Sequence, residues 1–246
     1  MSHLSGLRLF VSDPAQLAQF YAMHLGMEAR EVPEGWRVGY PGADADVLLM
    51  PGGVAYWHAT TDGYWKIGVT LPDVDVAHAR LSAAGIEVSK PHQFRDIGYM
   101  CHLRDPEGFG IELLQHHFDG NRPDDSGDPA QPLGGGARVG QITLRTGDID
   151  ATQITCDRLG MRLLSVQPVR EPDFDLYFWA FTSETPPDDD LYAVENREWL
   201  WQRPYTTLEF QHVEGLKPTV NTGYAGIEID GKPADAFKGQ QADNRP

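Results

Sequence analysis

Cysteine is nearly absent. Cys101 and Cys156 are the only two in 246 residues, and they lie in different halves of the chain. Two thiols so placed make neither a disulfide framework nor a CxxC-type zinc site, and Cys101 reads as a small buried residue. Basic residues are scarce beside acidic ones: 20 Lys and Arg against 36 Asp and Glu leave a net charge of −16. Such a surface repels phosphate backbones and anionic lipid, so neither nucleic acid nor a membrane is expected as a partner. Long apolar runs are missing, and no stretch of about 18 uninterrupted apolar residues offers a membrane span. The opening "MSHLSGLRLFVSDP" lacks a basic segment followed by a long apolar one. No signal peptide is therefore expected, and the cytoplasm is the expected location. A Walker loop, a GxGxxG after a strand and a GxSxG elbow are not found either. The remaining composition, 41% hydrophobic and 23% charged, suits a globular protein with a real core.

What the chain does have is a repeat. "LRLFVSDPAQLAQFYAMHLGMEA", "IGVTLPDVDVAHARLSAAGIEV" and "ITLRTGDIDATQITCDRLGMRL" each read strand, cap, helix, glycine stop, strand. Asp13 caps the first helix with Pro14 at its first position, and Gly26 suits a left-handed stop. In the second, Asp75 is the expected cap, Ala77, Leu81 and Ala84 form the buried stripe, and Gly85 ends the helix. Asp148 and Gly160 play these parts in the third. Strand-like runs follow each helix: "WRVGY" and "DVLLM", "YMCHLRD" and "FGIELLQ", "LYFWAFT" and "TTLEFQH". The unit is a βαβββ module, present in three full copies. A truncated fourth begins at "YAGIEIDGKPADAFKG" with a strand and a helix start.

The Pro-, Gly- and Asp-rich stretch 119–137 reads as a linker between a first domain, 1–118, and a second, 138–246. "TSETPPDDD" reads as a long surface loop inside the third copy. The expected fold class is α+β, built from paired βαβββ modules. The unfinished fourth copy leaves a sheet edge that invites a partner chain, as in a homodimer.

These segments resemble the vicinal oxygen chelate superfamily, which holds glyoxalase I, bleomycin resistance proteins and extradiol dioxygenases. The third copy, with "QITLR", "RLGMRLL", "LYFWAF", "WLWQR" and "TTLEFQHVEG", is similar to glyoxalase I (lactoylglutathione lyase). The second carries the closing pattern "DPEGFGIEL". The resemblance implies paired modules around a cavity, with a divalent metal (Zn, Ni, Fe or Mn) held by strand side chains from two of them. It places Gln141, Glu209 and Glu112 as metal ligands, and Glu112 and Glu209 as the catalytic carboxylates, Glu112 moving the proton. Arg145 matches a substrate-holding arginine. The remaining ligand would be a histidine, but Lys66 stands there in "WKIGVTLPD" and Tyr224 in "GYAGIEID". Copy one has Gly6 and an apolar "VLLM" at the ligand positions. Only a pairing of copies two and three therefore gathers Gln141, Glu209 and Glu112.

The chemistry of that set stands without the family. Two carboxylates, an amide oxygen and a neutral donor suit a divalent cation, which acidifies a C–H beside a bound carbonyl while a carboxylate shuttles the proton. The implied activity is a glyoxalase-type lyase or isomerase acting on a small carbonyl or thiohemiacetal-like substrate. An ammonium does not ligate a metal, however, so Lys66 supports an alternative: a metal-free, bleomycin-resistance-like binding protein in which Lys66 bridges Glu112 and Glu209. A ring-cleaving dioxygenase would need two histidines and a glutamate, absent at the matching positions. His102 could line the cavity beside the substrate, and His58 is a candidate replacement ligand. His116, His117 and His212 follow strand ends and read as surface residues. "WLWQRPY" reads as core and cavity wall.

Overall fold

The computed structural model describes residues 2–42, 45–219 and 223–238. The first repeat forms β1 (Leu4–Val11), α1 (Pro14–Leu25), β2 (Glu28–Val32), β3 (Gly35–Gly39) and β4 (Asp46–Pro51). The second forms β5 (Tyr64–Leu71), α2 (Val74–Ala83), β6 (His92–Phe94), β7 (Gly98–Arg104) and β8 (Gly110–Gln115). The third forms β9 (Arg138–Thr146), α3 (Ile149–Leu159), β10 (Arg162–Val169), β11 (Phe174–Ala180) and β12 (Thr207–His212). A short helix, α4 (Glu195–Trp201), is inserted before its last strand, and β13 (Tyr224–Ile229) and β14 (Lys232–Pro233) follow.

Local chemistry explains the helix ends. Asp13 and Asp148 accept the amides of Gln16 and Ala151, and Gly26 and Gly160 close their helices with φ of 72° and 82°. In both cases the side chain satisfies an otherwise orphaned amide, and glycine takes the left-handed turn without a Cβ clash. The second helix departs from expectation. Its cap is Asp73, which accepts the Val76 amide, whereas Asp75 lies inside the first turn and accepts the Tyr99 hydroxyl at 2.8 Å. Its buried face is Val74, Ala77 and Leu81, and Ala84, the cap residue beyond its last turn, is exposed. The expected helix start after β13 is instead a hairpin. Asp230 and Gly231, with φ of 52° and 73°, join β13 to β14 in a two-residue turn, the backbone that Asp-Gly favours between antiparallel strands.

Among the described residues the strands make two sheets. Six run in the order β14-β13-β1-β4-β3-β2, and eight in the order β10-β11-β12-β9-β5-β8-β7-β6. In each full repeat the first and last strands pair parallel, and the sheets are joined across antiparallel first strands, β1 with β13 and β5 with β9. Residues 119–137 therefore divide the chain but not the sheets, since each sheet takes strands from both sides of that stretch. Within them Leu133 is buried and joins the apolar core that includes Leu17, Leu25 and Val74.

The two junctions share an irregularity. Between Tyr64↔Leu144 and Lys66↔Thr143, Trp65 is an extra residue, and between Gly68↔Gln141 and Val69↔Val139, Gly140 is. In the other sheet the extra residues are Ser5 and Ala225. Each first strand thus carries a bulge, and the residues just after the bulges are Gly6, Lys66, Gln141 and Gly226. A bulge bends its strand and re-aims the neighbouring side chains. This register corrects the fourth repeat: Gly226, not Tyr224, is the counterpart of Lys66 and Gln141. Tyr224 stacks on Tyr64 instead, with centroids 5.5 Å apart.

Candidate functional site

Strand alternation in the eight-stranded sheet sends every second residue into one cavity of about 710 Å³. Met100 and His102, Glu112 and Leu114, Leu176 and Phe178, and Glu209 and Gln211 enter as such pairs from four strands. The bulge on β5 lets both Trp65 and Lys66 reach it. Gln141, Arg145, His102, Lys66, Glu112 and Glu209, six of the candidates from the sequence, all line this one cavity. Its far wall is apolar, with Phe94, Leu114, Phe174, Phe178 and Trp201. Trp201, on α4, is fixed by its indole N–H donating to the Ile97 carbonyl at 3.0 Å.

Two cross-strand rows build the polar floor. Lys66 lies opposite Thr143, which lies opposite Glu209; His102 lies opposite Glu112, then Gly68, then Gln141. Gly68 leaves the space the second row needs, because a Cβ there would come within 1.9 Å of Gln141 Oε1. Lys66 Nζ is 2.7 Å from Glu112 Oε1 and 3.6 Å from Glu209 Oε2, and all three side chains are at most 7% exposed. His102 Nε2 meets Glu112 Oε2 at 2.9 Å, and Thr143 donates to Glu209 Oε2 at 2.6 Å. Gln141 Oε1 is buried with no hydrogen-bond partner among the described residues.

The distances decide how the charges fall. Burial works to raise the Glu112 carboxyl, but Lys66 and the His102 hydrogen bond outweigh it and hold it at about 2. Glu209 is farther from the ammonium; burial dominates there and, with the charge of Glu112, raises it. For Lys66 burial opposes the charged form, yet the two carboxylates prevail and its pKa is raised. The floor is thus an internal ion pair, Lys66–Glu112, with Glu209 alongside.

This donor set does not fit the expected divalent cation. An ammonium held by two carboxylates has no lone pair to give a metal and brings a positive charge to the place where the cation would sit. Among the described residues, no three of His, Cys, Asp or Glu come together to hold a metal ion. His58 does not replace the missing ligand: its imidazole lies beside Arg145 rather than beside the carboxylates. His116 also departs from expectation. Its Nε2 is buried without a partner among the described residues, and burial, then Arg138 and His117, bring its pKa down to about 4.

Arg145 lies at one end of the floor, with its guanidinium 4.8 Å from the Trp65 ring centroid. Trp201 of "WLWQRPY" stands in the wall that the sequence suggested for it. Phe94, Phe174 and Phe178 carried no such signal, and only the sheet order brings them together.

An eight-stranded sheet of two parallel-closed strand–helix–strand units, and a six-stranded sheet of one such unit and a hairpin, each joined through first strands, define the glyoxalase-like βαβββ class. Residues 1–113 match the profile of the Glyoxalase/Bleomycin resistance protein/Dioxygenase superfamily. Glyoxalase I from Zea mays has a similar fold, with a TM-score of 0.64 at 17% identity, over 93% of this chain and 74% of that one. A putative dioxygenase from Bacillus subtilis is similar at a TM-score of 0.56 and 15% identity, over 92% and 69%. No curated protein matches the chain.

Proposed function

We propose that the protein binds a small, largely apolar organic molecule in this cavity without a metal, Lys66 taking the cation's place between Glu112 and Glu209. The observation that carries the reading is the position of Lys66 Nζ, 2.7 and 3.6 Å from the two carboxylates. The cavity volume of about 710 Å³ is that of a drug-sized ligand site, and an apolar wall facing a few fixed polar groups is the usual composition of such sites. A glyoxalase-type lyase using Gln141, Glu209 and Glu112 as metal ligands would first have to displace the ammonium from its ion pair. Glu112, held ionised by Lys66, is in addition a weak base for taking a proton from carbon. Binding is therefore the function this donor set supports, with the polar floor orienting the ligand.

The test is equilibrium binding of an aromatic probe such as naphthalene to protein treated with EDTA, read by calorimetry. Equal affinity before and after EDTA is expected. Binding that vanishes with EDTA and returns with Zn²⁺ or Ni²⁺ would overturn the proposal.

A further inference from the structure

A group outside the carboxylate floor carries a separate specificity. His58 lies on the segment between β4 and β5 and lines the same cavity. Its Nδ1 is 3.3 Å from the Tyr56 hydroxyl oxygen. That hydroxyl has one proton, and it goes to Asp62 Oδ2 at 2.6 Å; toward His58 the Tyr56 oxygen therefore accepts. Nδ1 must then carry the imidazole proton. The other ring nitrogen gives the same answer independently. Nε2 is 3.4 Å from Arg145 Nη2, and a guanidinium only donates. Two neighbours thus fix one tautomer, with the proton on Nδ1 and the lone pair of Nε2 beside Arg145.

Arg145 is held for a purpose its protein partners do not fulfil. Nε donates to Gln211 Oε1 at 2.7 Å, and Nη1 to the carbonyls of Ala59 and Asp62 at 3.3 and 3.2 Å. With the imidazole, all these partners are neutral. The Nη2–Nε2 contact of 3.4 Å is beyond the usual 2.7–3.2 Å range for N–H donors, so it is weak enough to be exchanged for a ligand's. Asp62 is anchored through Tyr56 and the Ala59 amide, which keeps the relay behind the imidazole rather than in the cavity.

The geometry points to His58 and Arg145 as a recognition pair for a neutral acidic hydroxyl, a phenol or enol, on the apolar ligand. The hydroxyl donates to His58 Nε2 while its oxygen accepts from Arg145 Nη2, so one oxygen satisfies both groups. A carboxylic acid is already ionised at neutral pH and has no proton for Nε2. The pair stays in this state because burial first, then Arg145 and Arg104, lower the His58 pKa, with Asp62 opposing them. Tyr56 and Asp62 are positioning residues. This inference rests on the binding function proposed above and names the chemistry of its ligand.

The experiment compares 2-naphthol, 2-methoxynaphthalene and naphthalene by calorimetry at neutral pH. One good hydrogen bond makes 2-naphthol bind about tenfold tighter than the other two. His58→Phe removes that advantage, read as the ratio of 2-naphthol to naphthalene affinity within the same variant, and Tyr56→Phe reduces it by freeing the tautomer. Nitrogen NMR of the unaltered protein provides a readout independent of any variant: His58 carries its proton on Nδ1. A proton on Nε2, or a 2-naphthol advantage that is absent in the wild type or survives in His58→Phe, would overturn the inference. If naphthalene binds and 2-naphthol gains nothing, the hydroxyl site alone fails. If no probe binds, the binding function fails with it.

Discussion

Replacing Lys66 by methionine keeps most of the side-chain volume and removes the ammonium. At an effective dielectric of about 20, the attractions at 2.7 and 3.6 Å are worth about 6 and about 5 kcal/mol gross. Most of that is offset in the wild type by the cost of burying the ions, several kcal/mol each. Removing the ammonium returns only its own share of this cost, because Glu112 and Glu209 stay buried and face each other uncompensated; such losses run to about 3–5 kcal/mol. The loss should depend on pH. In the wild type the lowered Glu112 pKa contributes stability above the ordinary carboxylate value that is lost only as pH falls through about 2. In Lys66→Met two like charges drive one carboxyl upward. Its contribution is present at low pH and lost as pH rises through the raised value. Urea unfolding should therefore show a deficit of about 3–5 kcal/mol near pH 8 that shrinks toward pH 5, and adding Glu209→Gln should recover part of it. A deficit below about 1 kcal/mol near pH 8, the range of exposed ion pairs, would refute the buried-pair argument.

Three further outcomes follow from the same contacts. Gly68→Ala should cost about 1–3 kcal/mol, because its Cβ would meet Gln141 Oε1 at 1.9 Å; Gln141→Ala in the same chain should recover most of it, read as a coupling energy in urea unfolding. Trp201→Ala should lose about 3–5 kcal/mol by emptying a buried ring site, and should weaken naphthalene binding, since that ring lines the cavity. His116, at about 4 in the folded chain against 6.5 ordinarily, takes up its proton in the unfolded state first. Stability should therefore fall by up to about 3 kcal/mol as pH drops from 6.5 to 4, at about 1.4 kcal/mol per pH unit. His116→Asn should flatten that part of the profile.

How far the chain can be read by eye depends on the range of the interactions involved. The Asp13 and Asp148 caps and the Gly26 and Gly160 stops are local contacts between residues close in sequence, and they stand as expected. Asp73 against Asp75 shows the limit of that method, since both can cap and a tertiary contact with the Tyr99 hydroxyl claims the second. The Asp230-Gly231 turn carries a hairpin signal that the resemblance to a helix-bearing module obscured. The approach of Glu112 and Glu209 through Lys66 could be argued from repeated positions. Trp201 could be read as cavity wall from "WLWQRPY", but Phe94 and Phe178, which meet it only through the order of eight strands, could not. Nor could the His58 tautomer, which needs Arg145, distant in the chain, placed against a segment that already holds Tyr56 and Asp62.

The central claim is that an ammonium stands where a divalent cation would. Metal content of protein purified without chelator tests it most directly, with Lys66→His measured beside the wild type. The account predicts no stoichiometric metal in the wild type. In Lys66→His, where an imidazole joins Gln141, Glu112 and Glu209, it predicts metal binding that Glu209→Gln removes. Stoichiometric Zn, Ni, Fe or Mn in the wild type, lost with Glu209→Gln, would contradict it.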